Sequence, residues 1–502
     1  MINEITAYGP FGEIKMVAMQ RNQYSYTYLH YGIDTVSFEA TFTDGIQLWI
    51  CGHQLMSGKR TGAFELMPGR NVFDMKVIAT DGITLQAYEL KFFRAHATPA
   101  WEKVIEHAAW SPRDSAGEAI FKDRMWLFGG YTPEYANDVW HSSDGATWIK
   151  ASDIPTNIGV DIPLAFVFKD KIFITDADGV LYCSSEGDMW AKATDTGPMR
   201  GRRMMGGAVF KDRVWMMGGQ QGNCLFNDIW SSADGVRWVL EVEQAPWSKR
   251  QITHSLLVYN DKLWLLGGGA LGTSYFPFVA QNDIWCSSDG IHWERIIAHA
   301  PWPARIWGST IVYRDRMWIM GGYQAAPESR HIGDMWYSAD GEEWLPFEQH
   351  ASCWNNSSGG VPLSVPTAMW EDRHEASALV YDDALYLMGG MIWPLKNDVW
   401  KLAIPGLCFL SQPVVEGYVD CLYEYRAFAD FSPNVNRVKY KLIDAPDWLT
   451  IDEVSGWITG TASEELEVNV IVEAFDGYGE FARQEYTLFM IPFIGHFAGS
   501  AV

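Results

Sequence analysis

The 502-residue sequence is poor in cysteine and in positive charge, and it has no long apolar run. Its seven cysteines are an odd number and include no CxxC pair, which argues against a disulfide framework or a cysteine zinc site. No run reaches the roughly 18 apolar residues that a membrane-spanning helix needs, so we expect no membrane insertion. The 38 basic and 62 acidic residues give a net charge of −24, and such a surface disfavours nucleic-acid partners.

The first residues, MINEITAYGPFGEIKMV, contain no basic segment followed by an apolar one. We therefore expect no secretory signal peptide.

Tryptophan is abundant instead, with 25 residues, and much of it falls in a repeat of about 50 residues. The first phrase of the repeat has a polar pair, four apolar or aromatic positions and a Gly-Gly pair. It reads KDRMWLFGG (122–130), KDRVWMMGG (211–219), NDKLWLLGG (260–268), RDRMWIMGG (314–322) and DDALYLMGG (382–390), with a degenerate copy KDKIFITDA (169–177). Such copies predict one structural unit per repeat.

A second phrase, of the form N-D-x-W followed by D-G-x-x-W, comes after most copies, as in NDIWSSADGVRW (227–238). The Asp-Gly pairs predict type I′ hairpin turns, in which both turn residues need positive φ. These pairs are Asp144-Gly145, Asp234-Gly235, Asp289-Gly290 and Asp340-Gly341. Each repeat then holds four short antiparallel strands, which is one blade of a β-propeller.

Six repeats predict six blades over residues 98–404. The sixth repeat ends after its third strand, while AWEKVIEHAAW (100–110) matches the fourth-strand phrase IHWERIIAHAPW (291–302). We therefore expect residues from about 100 to 104 to supply the missing outer strand and close the ring, which removes open sheet edges. The aromatic residues that recur at equivalent positions of the repeats predict packing between wedge-shaped blades rather than platforms on which sugars stack.

These phrases resemble the kelch repeat, the propeller class of galactose oxidase and bacterial sialic-acid mutarotases. The resemblance implies an all-β fold with a six-bladed kelch-like propeller. It implies little about function, because propellers of this class serve many roles.

Two further domains flank the repeats. Residues 1–97 resemble a cadherin-like β-sandwich. The resemblance rests on a Tyr-rich first strand, on a turn with Leu66, Gly69 and Asn71, and on an ending with Ala79, Asp81, Gly82 and Tyr88. Residues 405–490 resemble an Ig-like, cadherin-type β-sandwich, on APDWLTIDEVSGWITGTAS (445–463) and AFDGYGE (474–480). We read Asp81 and Asp476 as turn residues rather than metal ligands. Residues 491–502 form an apolar C-terminal tail, either a docked or frayed end or a peptide that inserts into a neighbour.

The strongest candidate binding site is a set of arginines in the phrase that precedes most blades. These are Arg113, Arg202, Arg250, Arg305 and Arg373. Because this loop lies at the mouth of a propeller channel, the five guanidinium groups predict a ring that binds a carboxylate of an acidic glycan or peptide. The alternative pairs each arginine with the Asp of N-D-x-W, and both interpretations stay open.

One blade carries the dense phrase WEDRHEAS (370–377), in which Trp370, His374 and Glu375 are additional candidates. These groups could act as acid, base and anion clamp, or they could be solvated and paired charges. The histidines do not have the spacing of galactose-oxidase copper ligands, so no metal, cofactor or catalytic residue is expected.

Two classes of function remain. The first is a non-enzymatic structural or binding protein of a virion, such as a bacteriophage tail or capsid accessory, which contacts other virion or surface proteins. It reconciles extracellular-type sandwich domains with the absence of an export signal. The alternative is a carbohydrate-active enzyme or lectin that handles an acidic sugar at the propeller mouth. We expect location in the virion, with the cytoplasm or the bacterial surface as alternatives.

Overall fold

The computed structural model describes most of the chain. The described residues are 2–9, 12–14, 24–29, 35–43, 45–66, 69–79, 84–94, 99, 101–272, 277–325, 328–347, 370–404, 406–411, 413–432 and 438–492. Asp81, Gly82, Cys353 and the tail from 493 onward lie outside them. Within these ranges the secondary structure is entirely β, and no helix is both long and apolar enough to span a membrane.

The chain divides into two compact units, one holding the described residues before 100 and after 404, the other holding those from 101 to 404. The first strands of the chain are β1 (Ile2–Gly9), β2 (Gly12–Ile14), β3 (Tyr24–Leu29), β4 (Thr35–Phe42), β5 (Ile46–Ile50), β6 (His53–Leu55), β7 (Phe64–Glu65), β8 (Gly69–Ala79) and β9 (Thr84–Arg94). They form two sheets, ordered β2-β1-β4-β7 and β3-β9-β8-β5-β6, and β3 pairs with β9 in parallel.

One apolar core joins these two sheets. Residues alternate between buried and partly exposed along β4, as a strand with one covered face requires. Phe38 of β4 meets Phe73 of β8 and Phe92 of β9 in edge-on contacts, with ring centroids 5.3 and 5.8 Å away. The inward faces of the two sheets therefore share one aromatic cluster.

The repeats form the strands β10 to β37. They are β10 (Trp101–Ile105), β11 (Gly117–Ile120), β12 (Met125–Tyr131), β13 (Tyr135–Ser142), β14 (Ile149–Asp153), β15 (Ala165–Phe168), β16 (Lys171–Thr175), β17 (Leu181–Ser184), β18 (Ala191–Thr194), β19 (Gly206–Phe210), β20 (Arg213–Met217), β21 (Gln220–Gln221), β22 (Cys224–Leu225), β23 (Ile229–Ser232), β24 (Val239–Val242), β25 (Leu256–Tyr259), β26 (Lys262–Ala270), β27 (Val279–Ser287), β28 (Glu294–Ile297), β29 (Ser309–Tyr313), β30 (Arg316–Met320), β31 (Tyr323–Gln324), β32 (Arg330–His331), β33 (Met335–Ser338), β34 (Leu345–Pro346), β35 (Ser377–Tyr381), β36 (Ala384–Met388) and β37 (Val399–Leu402).

Among the described residues of this unit, these strands build six four-stranded antiparallel sheets, which we number in chain order as repeat sheets one to six. Their orders are β11-β12-β13-β14, β15-β16-β17-β18, β19-β20-β23-β24, β25-β26-β27-β28, β29-β30-β33-β34 and β35-β36-β37-β10. The first strand of each sheet contacts the first strand of the next, and β35 contacts β11, so the contacts run in a closed circle.

The outer strand of repeat sheet six comes from the other end of the repeat region. Trp101 of β10 lies opposite Leu402 of β37, and Lys103 lies opposite Trp400. The Trp101 side chain is 1% exposed and meets Trp370 edge-on at 6.3 Å between ring centroids. This pairing ties residues nearly 300 positions apart into one sheet.

The first two strands of every repeat sheet are joined by a two-residue turn with positive φ at both residues. In repeat sheet one, Lys122 and Asp123 have φ of 48° and 54°. The equivalent pairs are Lys169-Asp170, Lys211-Asp212, Asn260-Asp261, Arg314-Asp315 and Asp382-Asp383. Positive φ at both positions is the backbone signature of a type I′ turn, so that geometry occurs here.

The prediction of type I′ turns at the Asp-Gly pairs is wrong. In repeat sheet one only Gly145 of its pair has a positive φ, at 76°. Side chains build this turn instead: Asp144 Oδ1 accepts the N–H groups of Ala146 and Thr147, and Ser142 Oγ accepts that of Gly145. A short polar side chain that bonds to nearby backbone groups replaces the hairpin geometry.

The glycine of this turn also lets neighbouring sheets approach each other. A Cβ atom on Gly290 of repeat sheet four would lie 2.5 Å from the ring of Trp215 in repeat sheet three. Gly187 and Gly341 stand in the same way against Trp126 and Trp264 of the preceding sheets. The repeated tryptophans therefore fill the space between adjacent sheets.

The last strands are β38 (Cys408–Phe409), β39 (Glu416–Tyr418), β40 (Tyr423–Arg426), β41 (Ala429–Asp430), β42 (Lys439–Asp444), β43 (Leu449–Ile451), β44 (Trp457–Gly460), β45 (Leu466–Phe475) and β46 (Phe481–Ile491). They form sheets ordered β39-β46-β45-β42, β40-β44-β43 and β38-β41. Asp476 Oδ1 accepts the N–H groups of Tyr478 and Glu480, so this carboxylate closes the turn between β45 and β46.

Candidate functional site

The arginine that precedes repeat sheet one is held inside its own sheet. Arg113 Nη1 and Nη2 donate to Oδ1 and Oδ2 of Asp138, at 2.6 and 2.9 Å. Nη1 also donates to the Gly129 carbonyl at 2.7 Å, and Nε donates to the Ser111 carbonyl at 3.0 Å. Burial raises the pKa of Asp138, but the hydrogen bond and charge of Arg113 outweigh it and leave the pKa lowered. We call this arrangement the clasp.

Four other repeat sheets contain the same clasp. Their pairs are Arg202–Asp228, Arg250–Asp283, Arg305–Asp334 and Arg373–Asp398, each joined by two guanidinium–carboxylate hydrogen bonds. The five arginine residues are 1–6% exposed. Each guanidinium group is therefore buried and bonded within its own repeat sheet. This is the second of the two interpretations, in which each arginine pairs with the Asp of N-D-x-W. Arg250 makes the same two bonds to its aspartate and a bond to the Gly267 carbonyl, and its Nη2 also donates to Ser248 Oγ at 2.8 Å.

Repeat sheet two lacks both members of the clasp. Val160 stands where the other sheets have arginine, and Val180 stands where they have aspartate. Both valines pack in one apolar cluster, in which Val160 is fully buried. An unpaired buried charge is strongly unfavourable, so the joint replacement of both partners is what a structural pair requires.

Trp370, a candidate ligand contact from the sequence, is 3% exposed. Its ring packs edge-on against Trp101, and Trp110 packs in the same way against Trp148, with ring centroids 6.1 Å apart. Trp247 and Trp302 repeat this packing on Trp293 and Trp344. The structure places Trp370 in a repeated core position.

The segments that lead into the inner strands carry a second repeated feature. Each has one non-glycine residue in the left-handed region, two or three positions before the strand. These residues are Ser115, Ile162, Met204, His254, Trp307 and Glu375, with φ from 44° to 59°. A strained backbone in a connecting segment persists only where surrounding contacts hold it. We call these segments the axial loops. The clasp keeps the same residue types in five sheets, whereas the axial loops present a different side chain in each sheet.

Two axial loops bring polar side chains together. Ser115 Oγ donates to Glu375 Oε2 at 3.1 Å, and Glu375 Oε2 lies 3.6 Å from His374 Nε2. His374 Nδ1 is 3.1 Å from His331 Nδ1, and the two imidazole rings stack with centroids 4.9 Å apart. Asp114 lies in the same group, since one ligand atom from each of Asp114, His374 and Glu375 falls within 4.8 Å of the others. We call Asp114, His374 and Glu375 the axial triad.

Burial dominates the ionisation of the axial triad. It raises the pKa of Asp114 to about 6, against the Ser115 hydrogen bond. Burial, followed by the Asp114 charge, raises the pKa of Glu375 to about 8. Burial, followed by nearby His331, lowers the pKa of His374 to about 3. At neutral pH the triad therefore holds a neutral imidazole, a protonated Glu375 and a mostly ionised Asp114.

Aromatic rings cover one side of the triad. The Trp307 ring lies 5.0 Å from His374, and the Tyr323 ring lies 5.4 Å from it, measured between centroids. Phe278 stacks on Tyr323 at 5.7 Å. This packing fixes the His374 ring and limits the access of water to it.

The other axial loops, together with strand β11, add charged groups in pairs. Glu118 Oε1 lies 3.4 Å from His254 Nδ1, and Arg203 forms an ion pair with Asp161. Arg203 Nη2 also donates to Tyr135 Oη at 3.1 Å. Asp161 and Arg203 thus offset each other's charge, and Arg203 is not free to hold a carboxylate ligand.

A narrow gap, too small to hold a water molecule, lies beside the triad between repeat sheets one and six. Asp114, Glu375 and Ser377 line it, together with Arg113 and apolar side chains. A sugar ring does not fit there.

Sequence reasoning singled out His374 and Glu375 but missed Asp114. The signal was present in the repeats: Asp114 follows Arg113 as His374 follows Arg373. Because the same clasp fixes both arginines, Asp114 and His374 occupy equivalent positions in their axial loops.

Residues 98–409 match the sequence profile described as the DUF6242 beta propeller domain. The chain belongs to this family. The match covers more than half of the chain, and it confirms the prediction of an all-β β-propeller protein. A solved structure titled "Structure of YjhT" also aligns, with 13% identity and a TM-score of 0.45, over 60% of this chain and 97% of that one. A likeness at that level carries no inference about activity.

Proposed function

We propose that this chain is a non-enzymatic structural and binding protein, built on a six-bladed kelch-type propeller that serves as a rigid contact surface. The clasp is the observation that carries the proposal. Its five arginines, which would be the anion-binding groups of a lectin or sugar enzyme, are each bonded to an aspartate of their own sheet. The repeated charged residues therefore support architecture.

The two flanking regions are, in this proposal, β-sandwich domains of cadherin-like and Ig-like type. The shared core of the N-terminal sheets and the carboxylate turn at Asp476 support this assignment. Domains of these types normally work outside cells. We accordingly propose that the chain is a virion component, a tail or capsid accessory that contacts other virion proteins or a host surface.

An acidic glycan fits the axial face poorly. Asp114 and Asp161 lie on the axial loops, Glu118 lies on the adjacent strand β11, and Arg203 is paired with Asp161. A carboxylate ligand would meet like charge there, whereas a neutral or cationic group of a partner protein would not. The acidic-sugar function is therefore the weaker of the two candidates.

Calorimetric titration tests the binding half of the proposal. We expect no heat when wild type is mixed with sialic acid, a uronate or an acidic peptide. Arg373→Ala should melt at a lower temperature, because Asp398 is left buried without its partner. Saturable binding of an acidic ligand to wild type that disappears in a folded Arg373→Ala variant would overturn the structural role of the clasp.

The virion assignment is tested on purified particles from the source of the chain. Quantitative mass spectrometry should find its peptides at a fixed ratio to the major particle proteins after density-gradient purification. Loss of the peptides during purification, while other tail and capsid proteins stay constant, would contradict the assignment.

A further inference from the structure

We propose that the axial triad, Asp114, His374 and Glu375, binds a divalent transition-metal ion of the Zn²⁺ type. The proposal concerns a site separate from the contact function proposed above, and neither depends on the other. The triad supplies two carboxylates and one imidazole from repeat sheets one and six, with one ligand atom of each within 4.8 Å of the others. Imidazole favours zinc and its neighbours, and carboxylates complete such sites.

Two oxygens of the triad are unsatisfied. Within the described part of the chain, Asp114 Oδ1 and Glu375 Oε1 are buried and have no hydrogen-bond partner. The two residues are 3% and 7% exposed, so solvent does not compensate them. A buried polar atom without a partner is costly, and its persistence at two neighbouring carboxylates points to a missing ligand.

The surrounding contacts have the form of an outer coordination shell. His374 Nε2 faces Glu375, which leaves Nδ1 to donate its hydrogen to Nδ1 of His331 at 3.1 Å. A metal-binding histidine commonly donates its second ring N–H in this way, which fixes the tautomer. Ser115 Oγ donates to Glu375 Oε2 and orients that carboxylate. His331 and Ser115 are thus positioning residues for the ligands.

The charge and geometry also suit a divalent cation. Glu375 would lose its proton when the ion binds, and the two carboxylates would then balance the charge of the ion. Zinc ligands lie about 2.0–2.2 Å from the metal, so their atoms need to be somewhat closer than the observed limit of 4.8 Å.

Metal titration of the full chain tests the proposal. The protein is stripped with a chelator and then titrated with Zn²⁺, Mn²⁺, Mg²⁺ and Ca²⁺ by calorimetry, with Co²⁺ absorption as a spectroscopic reading of coordination. We expect one Zn²⁺ per chain, a raised melting temperature and the visible bands of tetrahedral or five-coordinate Co²⁺. Mg²⁺ and Ca²⁺ should bind at least about tenfold more weakly, because they prefer oxygen ligands.

Variants locate the ion. Asp114→Asn, His374→Gln and Glu375→Gln should each weaken Zn²⁺ binding by at least about tenfold, and His331→Phe by a smaller factor, in the range of outer-shell changes. His254→Gln is the matched control, because it changes the imidazole of another axial loop and should leave binding intact. Melting curves in chelator identify any variant that does not fold, and Ser115→Ala supplies a milder change at the same carboxylate.

Failure to bind Zn²⁺, Mn²⁺ or Co²⁺ at one ion per chain would overturn the proposal. Unchanged affinity in folded variants of the triad would overturn it as well, because the ion would then bind elsewhere. Neither result bears on the acidic-ligand titration or the particle analysis that test the proposed function.

Discussion

Repeat sheets two and six start from the same repeat and differ in what they keep. Sheet six retains the clasp of Arg373 and Asp398, and its axial loop carries His374 and Glu375. Sheet two has Val160 and Val180 at the clasp positions, packed in an apolar cluster in which Val160 is fully buried. The comparison teaches that a propeller sheet closes with either a buried ion pair or two apolar residues, but not with half of a pair. Chemistry specific to one sheet resides in its axial loop.

We expect the largest effect from the way sheet six is connected, because its outer strand comes from residues that precede the first repeat. Deleting residues 1–105 removes β10 and with it the outer strand of sheet six, whereas deleting 1–96 leaves β10 in place. We expect the shorter chain to lose cooperative unfolding of the propeller, since Trp101 alone is a buried side chain whose loss costs about 3–5 kcal/mol. Calorimetric melting of both truncations checks this, and equal melting behaviour would contradict the closure of sheet six by β10.

A charged residue introduced into sheet two tests whether half of a clasp is tolerated there. Val160→Arg puts a guanidinium in the fully buried position of an apolar cluster, without a carboxylate at Val180. We expect a loss of about 3–5 kcal/mol in the free energy of unfolding. Adding Val180→Asp should recover part of it by rebuilding the clasp. Urea unfolding of the single and double variants measures both steps, and a double variant no better than the single one would speak against the rebuilt pair.

Alanine substitutions at two turn glycines compare how tightly the neighbouring turns pack against sheet two and against sheet three. Gly290 and Gly235 have nearly equal φ, 81° and 79°, so alanine strains both backbones alike. A Cβ on Gly290 would meet Trp215 of sheet three at 2.5 Å, whereas one on Gly235 would meet Phe173 of sheet two at 3.2 Å. Gly290→Ala should therefore cost about 1–3 kcal/mol more than Gly235→Ala, the range for overpacking.

Chemical unfolding of the two alanine variants gives that difference directly. Gly222→Ala, at positive φ with open space around its Cβ position, isolates the backbone part. Equal losses at all three positions would mean that the contact between sheets adds nothing to the backbone strain.

The smallest effect concerns pH. Backbone N–H groups of Arg237 and Val236 lower the pKa of Asp234 against the effect of burial. Because the pKa is lower in the folded state, Asp234 stabilises the fold above its unfolded pKa of about 3.9, and this contribution disappears as pH falls through the folded pKa. Asp234→Asn should thus destabilise at pH 6 and become nearly neutral near pH 2. Urea midpoints at the two pH values measure it, and the same difference at both would exclude a role for the charge.

The sequence predicted the all-β propeller because the same strand pattern recurs from repeat to repeat. The spacing of the repeated tryptophans located the strands, and the match between 100–110 and 291–302 indicated β10 as a strand. The turns were harder: Asp144-Gly145 looks like a hairpin pair, yet the positive φ values fall at Lys122-Asp123. Lysine carries no sequence signal for positive φ, so the tertiary fold decides that turn.

The candidate site was only half predictable. His374 and Glu375 stood out because their phrase occurs once, but the partner Asp114 lies 261 positions before Glu375 and joins them only when the ring closes. For the arginines, the sequence identified the residues but not their role. Their regular spacing allowed either a binding ring or a set of internal pairs, and the direction of a side chain at a loop is not contained in its spacing.

The central claim is that the clasp is a structural pair, and a double-mutant cycle on Arg250 and Asp283 tests it most directly. Both residues are largely buried and lie outside the axial triad. Arg250→Met and Asp283→Leu should each cost about 3–5 kcal/mol in urea unfolding, because each leaves a buried charge alone. The double variant should cost roughly 2–3 kcal/mol less than the sum, a coupling typical of groups in direct contact. Additive losses, within about 0.5 kcal/mol, would contradict the claim.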